Sequence, residues 1–387
     1  MPEPTKVLVV DDSAFMRKMI TEIVSRDAGM TVVGQARDGA DALQKLDSLQ
    51  PDVITLDIEM PVKDGYTTLT EIMQKRPTAV VMLSSLTQAG ADMTMRCLEA
   101  GAVDFVGKPS GSISLDIEKV AAELLVKIRM AATARLRHAP FRPSARAASV
   151  PDFVIKRPEP AAPEAPARRA PLGLSAAPAA PPVAASVMHG GSRAGGILVV
   201  GSSTGGPRAL QTLIPSLPAG LNVPILIVQH MPPGFTASLA KRLDAESPFE
   251  VREAAEGDLL RAGCALVAPG GRHLEVDGHG AIHLTDEPPV HGVRPSVDVT
   301  LASIHRLYGA RATVVLLTGM GKDGARGMKA LHDLGSVTFA EDESTCVVYG
   351  MPKAAVDLGG VTHLLPLHDL ASAVTDSLRS RSVAAMR

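Results

Sequence analysis

Three side chains in the second half of the sequence have the types that nucleophilic acyl transfer requires. Ser203 lies in Gly201-Ser202-Ser203-Thr204-Gly205. This fits G-x-S-x-G, in which a serine is presented on a sharp strand-to-helix turn and glycines stand where side chains would clash. His230 lies in Gln229-His230-Met231-Pro232-Pro233-Gly234, and Asp323 in Thr318-Gly319-Met320-Gly321-Lys322-Asp323-Gly324. A serine hydroxyl is a poor nucleophile at neutral pH, whereas an imidazole can take its proton and later deliver one to a leaving alcohol. A carboxylate fixes the imidazole tautomer and stabilises its charged form. Backbone amides in the turns around Gly205 and Met320-Gly321 are natural donors to a tetrahedral oxyanion, worth ~3 kcal/mol per donor. The implied reaction is acyl transfer on an ester or amide.

These groups need elements that bring them together across 120 residues. Aliphatic runs beginning at Ile197, at Pro224 to Val228 and at Ala312 to Leu317 have the length and composition of buried parallel strands, and each ends just before one of the three groups. Pro207 to Ile214 predicts a helix with proline in its first turn. In an open parallel sheet the carboxyl ends of the strands form one edge, where the three groups can converge. Other readings compete. The glycines at 201 to 206 could cradle a phosphate, but no lysine follows them as a P-loop requires, and His230 stands where a dinucleotide fold would place an acid. Ser202 could be the nucleophile, His230 a core histidine, and Asp323 a helix-start acid. His273, His279 and His283 are expected on solvent-exposed turns of a hairpin-like region rather than on a metal.

The first part of the chain carries a different chemistry. Short apolar runs at Lys6 to Val10, Thr31 to Val33, Val53 to Leu56, Ala79 to Leu83 and Val103 to Val106 alternate with amphipathic segments, which predicts a (βα)5 unit with a parallel sheet covered on both faces. Asp11 and Asp12 close the first strand, Asp57 the third, Ser84 follows the fourth, and Lys108 with Pro109 follows the fifth. Clustered carboxylates repel unless a cation neutralises them, and hard oxygen ligands suit Mg²⁺. A lysine opposite would stabilise a phosphoryl group on Asp57, and the Ser84 hydroxyl could bond its oxygens. Asp11-Asp12, Asp57 to Gly65, Ser84 and Lys108-Pro109 resemble the pattern of response-regulator receiver domains, a flavodoxin-like fold. The resemblance implies that Asp57 accepts phosphate from a sensor histidine kinase. It further implies that Asp12, Asp57 and the Glu59 carbonyl hold Mg²⁺, with Asp11 acting through water, and that Ser84 and Phe105 form the phosphorylation switch opposite Lys108.

Between the two, periodicity stops and eleven of the chain's thirty prolines fall between Pro140 and Pro182. Such a stretch cannot bury enough apolar surface to offset its ordering entropy and is expected to be a semi-extended tether. Its recurring arginines (Arg135, Arg137, Arg142, Arg146, Arg168, Arg169) lack interleaved aromatics, and acids also occur in the stretch, so a solvated linker is favoured over a nucleic-acid arm. Asp152 to Lys156 is an apolar island able to dock on either domain or a partner. The expected division is a receiver at 1–137, a Pro/Ala-rich linker at 138–192 and a catalytic domain at 193–387.

With 387 residues and 45% hydrophobic but only 3% aromatic side chains, the chain suits aliphatic α/β cores. A net charge of -2 offers no global field for nucleic acid or anionic membrane. Cys97, Cys264 and Cys346 are too scattered for a disulfide framework or zinc site. No signal-peptide core or ~18-residue apolar run is found, so a cytoplasmic protein without membrane insertion is expected.

The order Ser, His, Asp departs from that of α/β-hydrolases, pointing to another doubly wound, mainly parallel α/β fold with the same chemistry. Six stretches carry a close resemblance to chemotaxis protein-glutamate methylesterases: Gly201 to Gly206, Gln229 to Thr236, Ala268 to His273, Arg294 to Asp298, Thr318 to Gly324, and Tyr349 to Pro352. Ser202 stands where alanine is common in that family and Lys322 where asparagine is common. The resemblance implies a two-component response regulator that hydrolyses γ-glutamyl methyl esters on methylated chemoreceptors, with glutamine deamidation often accompanying it. Ser203 would attack, His230 serve as base then acid, and Asp323 orient it, while Thr204, Met320 and Gly321 line the site. No cofactor is expected at the esterase site, and the receiver is expected to cover it until phosphorylated. A non-catalytic receiver-controlled adaptor is the alternative; a DNA-binding regulator lacks any helix-turn-helix after the receiver.

Overall fold

The computed structural model describes residues 3–108, 114–134 and 195–385. The expected linker at 138–192, its arginines and apolar island, and Pro109 lie outside the described residues.

The N-terminal part alternates strand and helix: β1 (Thr5–Val10), α1 (Ala14–Ser25), β2 (Met30–Ala36), α2 (Gly39–Leu49), β3 (Val53–Asp57), α3 (Gly65–Lys75), β4 (Ala79–Ser84), α4 (Gln88–Glu99), β5 (Asp104–Gly107) and α5 (Ser114–Thr133). The five strands form one parallel sheet in the order β2-β1-β3-β4-β5. The inner strands β3 and β4 are buried along their whole length, as strands covered by helices on both faces must be. Four helices begin on a polar cap: Ser13, Asp38, Asp64 and Thr87 each accept a backbone N–H of the first turn. Each such bond stabilises its helix by about 1 kcal/mol.

The C-terminal part contains β6 (Ile197–Ser202), α6 (Gly206–Leu213), β7 (Ile225–Gln229), α7 (Phe235–Glu246), β8 (Glu250–Glu253), β9 (Cys264–Val267), β10 (His273–Val276), β11 (Ile282–Thr285) and α8 (Val297–Leu307). It continues with β12 (Ala312–Leu316), α9 (Ala325–Asp333), β13 (Val337–Glu341), α10 (Met351–Asp357), β14 (His363–Leu365) and α11 (Leu367–Ala385). Seven strands form a parallel sheet in the order β14-β13-β12-β6-β7-β9-β8, and β10 and β11 pair as an antiparallel hairpin. The three strands legible in the sequence, β6, β7 and β12, are the central ones. Their alternation splits the core: Leu198, Val200 and Ile227 join the cluster containing Leu210 and Leu239, whereas Ile197, Val199 and Leu226 join the one containing Leu301 and Ile304. Burying each such side chain contributes about 1.5–3 kcal/mol. From β6 the chain goes to β7 and then to β8 and β9 on one side, with β8 at the edge, and to β12, β13 and β14 on the other, so the sheet's switch point lies between β6 and β12, the place where an open α/β sheet forms its crevice.

Candidate functional site

Register brings the first two residues together. Ser202 and Gln229 are Cα partners at the ends of β6 and β7, so Ser203 and His230 are the next residue of each strand end. Two bonds stitch these ends: the His230 N–H donates to the Ser202 carbonyl (3.1 Å), and Gln229 Nε2 donates to the Ser203 carbonyl (2.9 Å). The Ser203 N–H in turn donates to the carbonyl of Thr318, two residues beyond β12 (3.0 Å). Gly205 turns the chain into α6 at φ +78°, and a Cβ there would meet Val347 Cβ at 2.6 Å. A Cβ on Gly319 would meet Ser203 Cβ at 2.8 Å, so the loop after β12 lies directly against the serine. Ser202 is fully buried and spends its hydroxyl on Gln229 Oε1 (2.6 Å), which disfavours it as a nucleophile and accounts for its presence there.

Asp323 is brought to His230 by the loop after β12. Its Oδ2 accepts from His230 Nε2 (2.8 Å) and the Val297 N–H (2.7 Å), and its Oδ1 from Ser296 Oγ (2.7 Å) and the Asp298 N–H (3.1 Å). Burial pushes the Asp323 carboxyl up, but the His230 and Ser296 hydrogen bonds and the Asp298 N–H outweigh it and hold the group below the usual carboxylate range. An ionised Asp323 is acceptor only, which assigns the proton of a neutral ring to Nε2 and leaves Nδ1 as the basic atom. Among the described residues the Ser203 hydroxyl makes no direct hydrogen bond to the ring, a looseness common in unliganded sites. Thr204 is buried beside the serine, and Met320 is partly exposed at the lip, where Gly350 packs against Met320 Cα and the Gly321 amide.

The cradle of Asp323 is what sequence reasoning missed. Ser296, Val297 and Asp298 form the first turn of α8, whose unsatisfied N–H groups and dipole suit a carboxylate. The Ser296-Val297-Asp298 stretch was legible as a motif, but its role depends on α8 pointing at the loop after β12. His273 corrects another expectation. It is fully buried rather than on an exposed turn: Nδ1 accepts the Ser296 N–H (3.2 Å) and Nε2 donates to the Pro288 carbonyl (3.1 Å). A buried imidazole with both nitrogens engaged anchors the start of α8, whereas His279 and His283 are exposed as expected. His291, Asp298 and Asp323 also approach within 4.8 Å, yet every oxygen of both carboxylates already accepts a hydrogen bond, so this is a polar network rather than a metal centre.

At the carboxyl edge of the first sheet, oxygens of Asp11, Asp12 and Asp57 lie within 4.8 Å of one another. Lys108 Nζ bridges Asp11 Oδ2 (3.0 Å) and Asp57 Oδ2 (2.8 Å). Burial pushes the Asp57 carboxyl up to about 6 against the pull of Lys108, and the neighbouring Asp11 charge adds to the rise. Three hard oxygen donors with surplus negative charge suit a small divalent cation. Glu59 is exposed, with its N–H on Asp57 Oδ1 (3.3 Å) and its carboxylate on Ser85. Ser84 is buried with its hydroxyl turned toward α4: it accepts from Thr94 Oγ1 (2.7 Å) and approaches the Gly90 carbonyl (3.3 Å).

The two parts meet through α4 and β5 on one side and the Ser203 turn, α6 and α7 on the other. Thr204 Oγ1 donates to Asp104 Oδ2 (2.5 Å), and Asp104 is paired with Lys127 (3.2 Å). Phe105 stacks on Phe235 with centroids 4.5 Å apart. Gln88 donates to Ser238, and Glu99 pairs with Arg242 and accepts from Gln211.

A family model described as the response regulator receiver domain matches residues 7–117, and one described as CheB methylesterase matches residues 198–374. A protein of Symbiobacterium thermophilum named protein-glutamate methylesterase/protein-glutamine glutaminase is 51% identical over 380 residues, covering 96% of each chain. One of the same name from Pyrococcus horikoshii is 40% identical, covering 98% of this chain and 95% of the relative. The solved catalytic domain of Thermotoga maritima CheB methylesterase is 43% identical, covering 47% of this chain and 98% of that one, with a TM-score of 0.46. A receiver and a methylesterase domain in this order, together with relatives matched over nearly their whole length, make this chain a member of the chemotaxis protein-glutamate methylesterase/protein-glutamine glutaminase family.

Proposed function

We propose that the chain is a serine hydrolase that converts glutamate γ-methyl esters on chemoreceptor helices to carboxylates and methanol, and deamidates receptor glutamines, under control of phosphorylation at Asp57. The observation that carries the esterase reading is the Asp323 carboxylate, saturated by four donors and holding His230 Nε2 at the edge where Ser203 is presented. Ser203 Oγ attacks the ester carbonyl while His230 Nδ1 takes its proton. Amides of the Thr204 and Met320-Gly321 turns stabilise the oxyanion, and methoxide leaves as methanol with the proton from His230. Water, activated by the same nitrogen, then hydrolyses the acyl-serine and regenerates the hydroxyl.

Control follows from the contact between the domains. Asp104 engages the Thr204 hydroxyl one residue from Ser203, which supports a receiver that restricts access to the serine in this state. A sensor histidine kinase would supply the phosphoryl group. Asp11, Asp12, Asp57 and the Glu59 carbonyl would hold Mg²⁺, which supplies charge neutralisation for the phosphoryl oxygens. Lys108 pairs with the product, and Ser84 leaves Thr94 and Gly90 to bond it. That movement pulls on α4 and frees the space into which Phe105 can turn, loosening its stack on Phe235. The division into 1–137, 138–192 and 193–387 is part of this proposal.

The test is methanol release from methylated receptor membranes, with and without a phosphoryl donor. Release that rises with the donor and disappears in Ser203→Ala is expected. Equal release by the Ser203→Ala chain would overturn the serine-hydrolase reading.

A further inference from the structure

One buried acid next to the serine turn takes no part in the chemistry above. Glu341 ends β13 and is fully buried. Its Oε2 accepts the Thr318 N–H at 2.8 Å, while Oε1 is buried with no hydrogen-bond partner of good geometry among the described residues, although the Thr345 hydroxyl and Cys346 thiol lie near the carboxyl. Thr318 is itself the hub of the serine turn. Its carbonyl accepts the Ser203 N–H (3.0 Å), and its hydroxyl donates to the Thr204 carbonyl (3.0 Å) while accepting the Val348 N–H (2.9 Å). The next residue, Gly319, holds the turn before α10 through the Gly350 and Met351 N–H groups. The strand ladder between β12 and β13 stops at the Leu316–Ala340 pair, and beyond it the Thr318 amide is held by the Glu341 carboxyl.

We propose that Glu341 is a positioning residue of the esterase: its side chain continues the β12–β13 ladder for one more bond, fixing Thr318 and, through it, the backbone that presents Ser203 and Thr204. The inference rests on the esterase reading. A fully buried acid is a poor choice for stability alone, since an apolar side chain would avoid the desolvation. Burial pushes the Glu341 carboxyl up to about 7, so the neutral acid is accessible near neutral pH and still offers an oxygen to Thr318. What the site requires is therefore an acceptor at this reach rather than a charge. Glutamine supplies one, aspartate is a methylene too short, and methionine keeps the volume but lacks the oxygen.

The experiment compares Glu341→Gln, Glu341→Asp and Glu341→Met in the full chain with Mg²⁺ and a phosphoryl donor, normalised to the folded fraction from melting curves. Two readouts are taken: methanol release, giving kcat and KM, and the rate at which a fluorophosphonate labels Ser203, which needs no receptor. Aspartate and methionine are expected to lower kcat and labelling on the order of 10–100-fold, as small misplacements of reacting groups do, with KM nearly unchanged. Glutamine is expected to restore both to within about threefold. Aspartate at the wild-type rate, glutamine as impaired as aspartate, or a loss confined to KM would overturn the proposal while leaving the esterase reading intact. A wild-type chain that neither labels at Ser203 nor releases methanol would overturn the esterase reading and this proposal with it. Should the methionine variant not fold, the glutamine and aspartate pair decides.

Discussion

Asp323 shows how far one side chain's role depends on all its partners. Both oxygens accept two hydrogen bonds each, from His230, Ser296, Val297 and Asp298. Replacing it with asparagine turns one oxygen into a donor that must face other donors. We expect Asp323→Asn to lower kcat on the order of 10²–10⁴-fold, because the imidazole loses the partner that selects its tautomer. It should also cost about 1–3 kcal/mol of stability through an unsatisfied buried group. The pH dependence has a definite sign. A carboxyl held below its unfolded value contributes stability that is fully present above the unfolded value and is lost as pH falls through the folded one. The wild-type advantage over the asparagine variant in denaturant melts should therefore be constant from neutral pH down to about pH 5 and shrink below about pH 4. An advantage that grew on acidification would contradict this account.

At the scale of elements, both sheets place their chemistry at the carboxyl ends of parallel strands, because there the chain leaves the ladder and side chains can converge. In the first sheet β1 and β3 are neighbours, which sets Asp11 and Asp12 beside Asp57. The repulsion among these acids is relieved only in part by Lys108. Mg²⁺ should therefore stabilise the folded chain by mass action, raising Tm by a few degrees at millimolar concentration. Chelation should reverse the rise, and Asp12→Asn should abolish most of it. An undiminished shift in that variant would place the cation elsewhere.

For the whole molecule the decisive feature is that, among the contacts between the two parts, a polar bond and an aromatic stack lie at the serine turn itself. Asp104 accepts from Thr204 at the serine turn, and Phe105, the next residue, stacks on Phe235 at the start of α7. Removing the acceptor should weaken the closed arrangement without touching the triad. Asp104→Ala is expected to raise methanol release in the absence of a phosphoryl donor by about 5–100-fold, the range of ordinary allosteric couplings, and to shrink the donor's further effect. Lys127 keeps Glu123 and the Phe105 carbonyl as partners in that variant, so the receiver should remain folded. Unchanged basal release would mean that this contact does not hold the site closed.

The sequence by itself determined the two α/β units, the central strands and the residues able to do chemistry, because aliphatic runs ending in Gly, Ser, His or Asp are local patterns. It did not reveal β8, β9 or β14, which are short, or β13, which ends in no chemistry-bearing motif, nor the burial of His273. The carboxylate cradle at the start of α8, the hold of Glu341 on Thr318 and the Asp104–Thr204 contact were likewise invisible in it. Each of these joins residues 23 to 100 positions apart, and only tertiary packing brings such groups within hydrogen-bond reach. Residue type and spacing named the candidates, and sheet order with helix direction decided which atoms face one another.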